Sequence, residues 1–267
     1  MNTSDSKTQD VDVLAPDSKA RFSSRVDNYV KYRPSYPSDI VDWLLKVTDL
    51  SVSAEVVDLG SGTGLLSKIF LERGFSVTAV EPNGPMREAG RNYLANYPSS
   101  HHQNGSAEST GLGDGCADIV VSGQAFHWFE PLAARQECQR ILRSPGYAAM
   151  IWNERFLGGD FMNDYENLLL ATAPEYRKIT ASHVNPVALD KFFDHADTTR
   201  HELFNNQYLN LTGLMGRVMS SSYAPEIGRD GHNELIQGLE RLYEQYASDN
   251  GVVFEYRTVI IFGLLKP

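Results

Sequence analysis

The chain has 267 residues and is 42% hydrophobic, enough for one large domain or one domain carrying an elaboration. Its formal net charge is −10 and no run of Lys or Arg breaks the acidic balance, which argues against nucleic acid or an anionic membrane as partner. Cys116 and Cys138 lack metal-ligand spacing, no apolar run reaches membrane-spanning length, and the N-terminus has no apolar leader, so a reduced, cytoplasmic protein without a metal is expected.

Met1 to Pro16 are polar and are expected to form a tail that is mobile without ligand. From Phe22 the chain gains aromatics, and Tyr29, Tyr32, Arg33 and Tyr36 fall in one stretch closed by Pro34 and Pro37. Such a segment can enclose a small polar ligand, with Arg33 pairing a carboxylate. It can equally act as a staple on the domain, and the two roles are compatible. Ser38 to Leu50 reads as an amphipathic helix, with Ile40, Val41, Trp43, Leu44, Leu45 and Val47 on the apolar side and Ser38 as N-cap.

Glu55 to Leu59 reads as a short buried strand. Gly60, Gly62 and Gly64 follow, and Leu65, Leu66, Ile69 and Phe70 then take helical spacing. Strand, glycine loop and helix bring a ligand close to bare backbone. A dinucleotide fingerprint would place its third glycine at position 65, where Leu65 stands, so the pattern is D-x-G-x-G-x-G with Asp58 at its head. Phe75 to Val80 is the second strand. It ends at Glu81, about twenty residues past the first glycine, where a carboxylate can accept both hydroxyls of a ribose. Pro85 to Tyr97 is the next helix, stopped by Pro98. His101 and His102 are adjacent on a strand, so their side chains face opposite ways and no metal pair is expected.

Cys116 to Ser122 is the fourth strand, and Gln124, Phe126, His127 and Trp128 follow at its carboxyl edge, where ligands of doubly wound sheets bind. His127 reads either as a general base or as a hydrogen-bonded structural histidine. A helix over Leu132–Leu142, a turn at Ser144-Pro145-Gly146 and a strand over Tyr147–Trp152 lead to Asn153 and Glu154 on the same edge. Beyond Arg155 the alternation stops. Helices are predicted at Phe161–Ala173 and Val187–Phe193, then a strand over His201–Leu211. A helix capped by Thr212 and a helix over Glu234–Ala247 precede a last strand over Val252–Leu265.

The glycine loop resembles the first motif of the class I S-adenosylmethionine (SAM) methyltransferases, and the Y-x-x-Y-R-P-x-Y-P segment is similar to one in small-molecule methyltransferases of the trans-aconitate type, the type 11 group. The resemblance is close over Ser53–Trp152. It implies an α/β fold: a seven-stranded, doubly wound, Rossmann-like sheet with an N-terminal lid, a helical cap insertion and an antiparallel last strand. The implied division is a tail (1–20), lid and helix (21–50), cofactor core (51–153), helical cap (154–200) and C-terminal completion of the sheet (201–267).

The implied cofactor is SAM, leaving as S-adenosylhomocysteine. Its contacts would come from Tyr29 and Arg33 of the lid and from Asp58, Gly60, Ser61, Gly62, Thr63 and Gly64. Glu81, Pro82 and Met86, then Ser106, Ala107 and Glu108, and finally Ser122 and Gln124 would complete them. The acceptor would meet Tyr36, Phe126, His127, Trp128, Trp152, Asn153, Arg217 and Tyr223, with His127 the catalytic candidate. No DPPY- or NPPY-like tetrapeptide stands at Gly123–Phe126, so the aminopurine and glutamine N-methylation reading loses support. A small-molecule acceptor is the default, and for a carboxylic acid Arg217 is the best counter-ion. Aminopropyl transfer on the same fold and a non-catalytic SAM-binding domain are the alternatives, and the glycine spacing disfavours a nicotinamide dehydrogenase. The sequence does not speak to oligomeric state.

Overall fold

The computed structural model describes residues 31–178, 185–194 and 197–266. The predicted tail and Tyr29 lie outside them. In chain order the elements are α1 (Asp39–Val47), β1 (Glu55–Leu59), α2 (Leu65–Leu71), β2 (Ser76–Val80), α3 (Gly84–Tyr93), β3 (Ser100–Gln103) and β4 (Ala117–Gly123). A 3-10 turn at Phe126–Trp128 leads to α4 (Pro131–Ile141), β5 (Leu142–Arg155), α5 (Asp160–Thr172), α6 (Pro186–Phe193), β6 (Thr198–Leu209), α7 (Leu211–Met219), α8 (His232–Tyr246) and β7 (Val252–Lys266).

The seven strands form one sheet in the order β3-β2-β1-β4-β5-β7-β6. The first five run parallel, and β7 lies antiparallel between β5 and β6. A parallel sheet covered on both faces needs strands that are apolar throughout, which explains the run Val56, Val57, Leu59 and the fully buried Ile119, Val120 and Val121. On one face α1 and α2 set Ile40, Val41, Leu44, Ile69 and Phe70 against Val56, Val77, Ile119 and Val121. On the other, α4 and α6 set Cys138, Ile141, Phe192 and Phe193 against Val57, Val120, Ala148 and Met150. Each such side chain contributes roughly 1.5–3 kcal/mol by leaving water.

A third core lies apart from these faces. It joins α5, α7 and α8 to the first half of β7 through Tyr165, Leu169, Leu214, Val218, Leu235, Leu239 and Phe254. The cap is therefore built from helices on both sides of β6 in sequence. The helix read at Val187–Phe193 as part of the cap is α6, and it packs on the sheet because Phe192 and Phe193 enter the α4 core.

Two cap residues also differ from the sequence reading. Asn210, not Thr212, caps α7, its Oδ1 accepting the Gly213 N–H at 2.8 Å, and Ser38 makes no side-chain cap on α1. The predicted turn at Ser144–Gly146 is taken into β5. No helix among the described residues is long and apolar enough to cross a membrane.

Candidate active site

The carboxyl ends of β1, β2, β4 and β5 share one edge of the sheet. There the three loop glycines all take positive φ, +65° at Gly60, +56° at Gly62 and +82° at Gly64, but each for its own reason. A Cβ at Gly60 would lie 2.6 Å from the Ala125 Cβ, and one at Gly64 would lie 2.6 Å from Leu94 Cδ1. Among the described residues a Cβ at Gly62 would meet only Met86 Cε, at 3.4 Å, so they leave the space beside Gly62 open. The loop is held by the Gly60 and Ser61 N–H groups, which donate to the Val80 carbonyl at 2.9 and 3.1 Å. Thr63 is buried, and its hydroxyl has no partner among the described residues.

Glu81 closes this cradle from β2. Its Oε2 accepts the Gly62 N–H at 2.9 Å and its Oε1 the Asn83 N–H at 2.8 Å. A carboxylate can accept at up to about four positions, so one group can serve both backbone and ligand. Asn83 caps α3, accepting the Met86 N–H at 3.1 Å, and this fixes the buried Met86 beside Gly62. Pro82 is exposed.

Asp58 is fully buried under the loop. Ser67 Oγ donates to its Oδ2 at 2.6 Å, and its Oδ1 has no partner among the described residues. Burial pushes its carboxyl up to about 7, against the Ser67 hydrogen bonds and with a smaller contribution from the Glu81 charge. The folded pKa therefore lies above the unfolded one. From about pH 4 to about pH 7 the unfolded chain loses this proton while the folded chain keeps it. Stability falls with rising pH across that window, by an amount on the order of 4 kcal/mol. Asp58→Asn is expected to remove this slope, and urea unfolding of both proteins at pH 5 and pH 8 checks it. An equal slope in the variant would place the titration elsewhere.

At the end of β4, Ser122 is buried and its hydroxyl donates to the Leu59 carbonyl at 2.9 Å, tying β4 to β1. Gln124 sits at φ +56°, an uncommon conformation for a residue with a Cβ, of a kind that gathers at functional sites. It is held there by its N–H on Ile151 O and by its Nε2 on Asn153 O, both 2.9 Å. Phe126 and Trp152 do not line this edge. They are 1% exposed, and their rings meet at 90° inside the α4 core, because a large apolar ring at a strand end gains more from that core than from the rim. His127 and Trp128 are exposed neighbours, ring centroids 4.8 Å apart. Ser106 and Ser109 bridge a tight turn that buries Ala107, and Glu108 accepts the Glu130 N–H at 2.9 Å, fastening this turn to the start of α4.

The Tyr32–Tyr36 segment is fastened across the same edge. Gln207 Nε2 donates to Tyr32 O at 2.9 Å, Asn205 Nδ2 to Ser35 O at 2.7 Å, and Asn153 Nδ2 to Ser35 O at 3.2 Å. Thr258 Oγ1 holds Asn153 Oδ1 at 2.6 Å, and Arg33 Nη2 donates to the Ser220 carbonyl at 3.2 Å. The buried Tyr36 lays its hydroxyl against Gly123. Gly216 of α7 makes room for the Tyr32 ring, which any Cβ there would overlap. Gly216→Val is expected to expel that ring. Amide exchange over residues 32–36 should then quicken severalfold while the β1–β5 amides keep their protection. Unchanged exchange at residues 32–36 would mean that the Tyr32 ring does not anchor the segment.

In the cap, Arg217 is 4% exposed and so is buried rather than displayed on the surface of α7. Its Nε donates to Tyr256 Oη at 2.8 Å and its Nη1 to Ser221 Oγ at 3.0 Å. Tyr223 is half-buried, its ring 4.9 Å from that of Tyr176. Burial alone would push its phenol up, but the guanidiniums of Arg155 and Arg217 outweigh this and bring it down to about 8.

Sequence reasoning missed Arg155, Asn205, Gln207 and Gly216. Asn205 and Gln207 carried a readable signal: they alternate on one strand and so share a face. Gly216 carried none.

Residues 57–150 match the family of methyltransferase domains. An uncharacterized methyltransferase of Mycobacterium tuberculosis is 32% identical over 254 residues, covering 93% of this chain and 97% of its own. A malonyl-[acyl-carrier protein] O-methyltransferase of Pectobacterium atrosepticum is 32% identical over 107 residues, 40% of this chain and 41% of its own. Among solved structures, a type II methyltransferase candidate from Anaeromyxobacter dehalogenans superposes with a TM-score of 0.65 at 19% identity, covering 88% of this chain and 99% of that one.

Proposed function

Because the chain belongs to the class I SAM-dependent methyltransferase family, we propose that it transfers the methyl group of SAM to a small-molecule acceptor. The observation that carries the donor assignment is the cradle at Gly62. Among the described residues it is open to a ligand and closed on one side by the Glu81 carboxylate, and the buried Asp58 at the head of the same loop keeps one oxygen without a partner there. These residues fit the cofactor. Glu81 would receive the ribose hydroxyls. Met86 and the Ser106–Glu108 turn would flank the adenine, with Pro82 at its rim. The Ser61–Gly64 backbone and Arg33 would face the methionine portion. When bound, SAM supplies a methyl already activated on sulfonium.

The protein's own task is then alignment and exclusion of water. Gln124 and Asn153 fix the ends of β4 and β5 relative to each other. The Tyr32–Tyr36 segment forms the lid over them, and α5, α7 and α8 form the acceptor cap. His127 would take a proton if the nucleophile arrives protonated, and its exposure would give that proton a route to solvent. Acceptor identity does not carry over from the malonyl-carrier enzyme, whose match spans only 40% of this chain.

Titration calorimetry with SAM, S-adenosylhomocysteine, decarboxylated SAM and NAD tests the donor. Binding of the first two, and neither of the others, is the expected result. Transfer of label from methyl-labelled SAM to a metabolite extract, with product identification, tests turnover. Binding without transfer to any extract would favour the non-catalytic reading.

A further inference from the structure

The cap holds a buried concentration of positive charge that the residues described so far do not balance. Arg155 ends β5 and pairs in register with Tyr256 of β7, whose hydroxyl receives Arg217 Nε. Arg155 Cζ lies 5.6 Å from the Tyr165 ring and Arg217 Cζ 5.6 Å from the Phe254 ring, and those two rings are 4.8 Å apart, so both guanidiniums face one aromatic cluster. Arg155 has a carboxylate, Glu166, with Oε2 at 3.2 Å. Arg217 has none among the described residues: its donors go to a phenol and a hydroxyl, and its plane lies over the Phe254 and Tyr256 rings. Arg155 Nη1 is likewise buried without a hydrogen-bond partner among the described residues.

A buried cation without a counter-ion is costly and is retained where something anionic completes it. Tyr223, acidified by both arginines, supplies only a fraction of a negative charge near neutral pH. The cluster also adjoins the lid. α7 carries Arg217 next to Gly216, where the Tyr32 ring docks, and Ser220 O one turn on receives Arg33.

Resting on the methyltransferase reading above, we propose that the Arg155–Arg217 pair is the acceptor's anchoring subsite, and that the acceptor is a small organic anion whose carboxylate or phosphate seats between the two guanidiniums beneath the lid. The anchored group is held while a different part of the molecule, or the second oxygen of the same carboxylate, points toward the end of β4. Neutral acceptors of the same shape would leave Arg217 without a carboxylate and Arg155 Nη1 without an acceptor among the described residues, and would be rejected, as sites built around buried charge reject ligands that lack the partner.

The test uses the full chain saturated with S-adenosylhomocysteine. Malonate, succinate, tricarballylate, benzoate and phenyl phosphate are titrated at constant ionic strength beside the amides of the four carboxylic acids. At least one acid should bind at least tenfold more tightly than its amide, or phenyl phosphate should bind at all. That binding should weaken at least tenfold in both Arg217→Met and Arg155→Met. Affinity for S-adenosylhomocysteine should stay within twofold of wild type in both variants. Arg217→Met should also keep or raise the melting temperature, because it removes a buried charge that no carboxylate among the described residues compensates, whereas a purely structural arginine would lower it. Should either methionine variant fail to fold, Tyr223→Phe provides the second reading: loss of the phenol that faces both arginines should change the affinity for the bound anion at least threefold. No anion binding better than the amides, or anion binding unchanged in the variants, overturns the proposal. If wild type does not bind S-adenosylhomocysteine, the donor reading fails by itself, and the anion titrations are scored on the apo protein.

Discussion

Gly62→Val is expected to lower affinity for S-adenosylhomocysteine at least about a hundredfold, close to 3 kcal/mol, while the protein stays folded. Two effects add. Gly62 sits at φ +56°, where a β-branched residue costs on the order of 1–2 kcal/mol and the loop would relax away from its observed path. The two added methyls would also occupy the open space beside Met86 that the proposed ligand needs. The fold should survive because among the described residues that space contains only the end of a flexible methionine. Gly60→Val is the useful contrast. Its Cβ would run into Ala125, so that variant should lose stability as well as binding. Calorimetry with S-adenosylhomocysteine, paired with thermal unfolding, separates the two. A folded Gly62→Val protein that binds normally would show that the glycine loop is not the cradle.

The contrast between these glycines shows what the sequence could and could not convey. The order β1, glycine loop, α2, β2, Glu81 was legible because each step has a local cause: an apolar run, positive φ, helical spacing, a strand end. The parallel half of the sheet followed from the same alternation, and the site edge from the rule that ligands meet the carboxyl ends of strands. Side-chain direction at those ends was not legible. Phe126 and Trp152 stand beside Gln124 and Asn153 in sequence, yet the first pair enters the core and the second faces the rim. Nor could local pattern show that the cap draws α5 from before β6 and α7 and α8 from after it, since only tertiary contact joins them. Arg217 was the sharpest ambiguity. An arginine in an amphipathic helix is usually solvated, and burial at 4% exposure depends on Phe254 and Tyr256, some forty residues away along the chain.

Glu81→Ala should weaken S-adenosylhomocysteine binding by about 1–3 kcal/mol, the cost of leaving the ribose hydroxyls unpaired. The ribose hydroxyls would lose their acceptor, and the Gly62 and Asn83 N–H groups, now bound to Oε2 and Oε1, would lose theirs too. The glycine loop and the α3 start are thus positioned by the same carboxylate that is proposed to bind the ligand. Glu81→Gln should be nearly as harmful despite its size, because its amide nitrogen would point a donor at one of two N–H donors. Asp58 gives an independent readout. The Glu81 charge helps to hold the Asp58 carboxyl up at about 7, so removing it should lower that pKa and shrink the stability lost between pH 4 and pH 7. A Glu81→Gln protein that binds S-adenosylhomocysteine within twofold of wild type would remove Glu81 from the site. A reduced pH slope in that same protein would still place its charge beside Asp58.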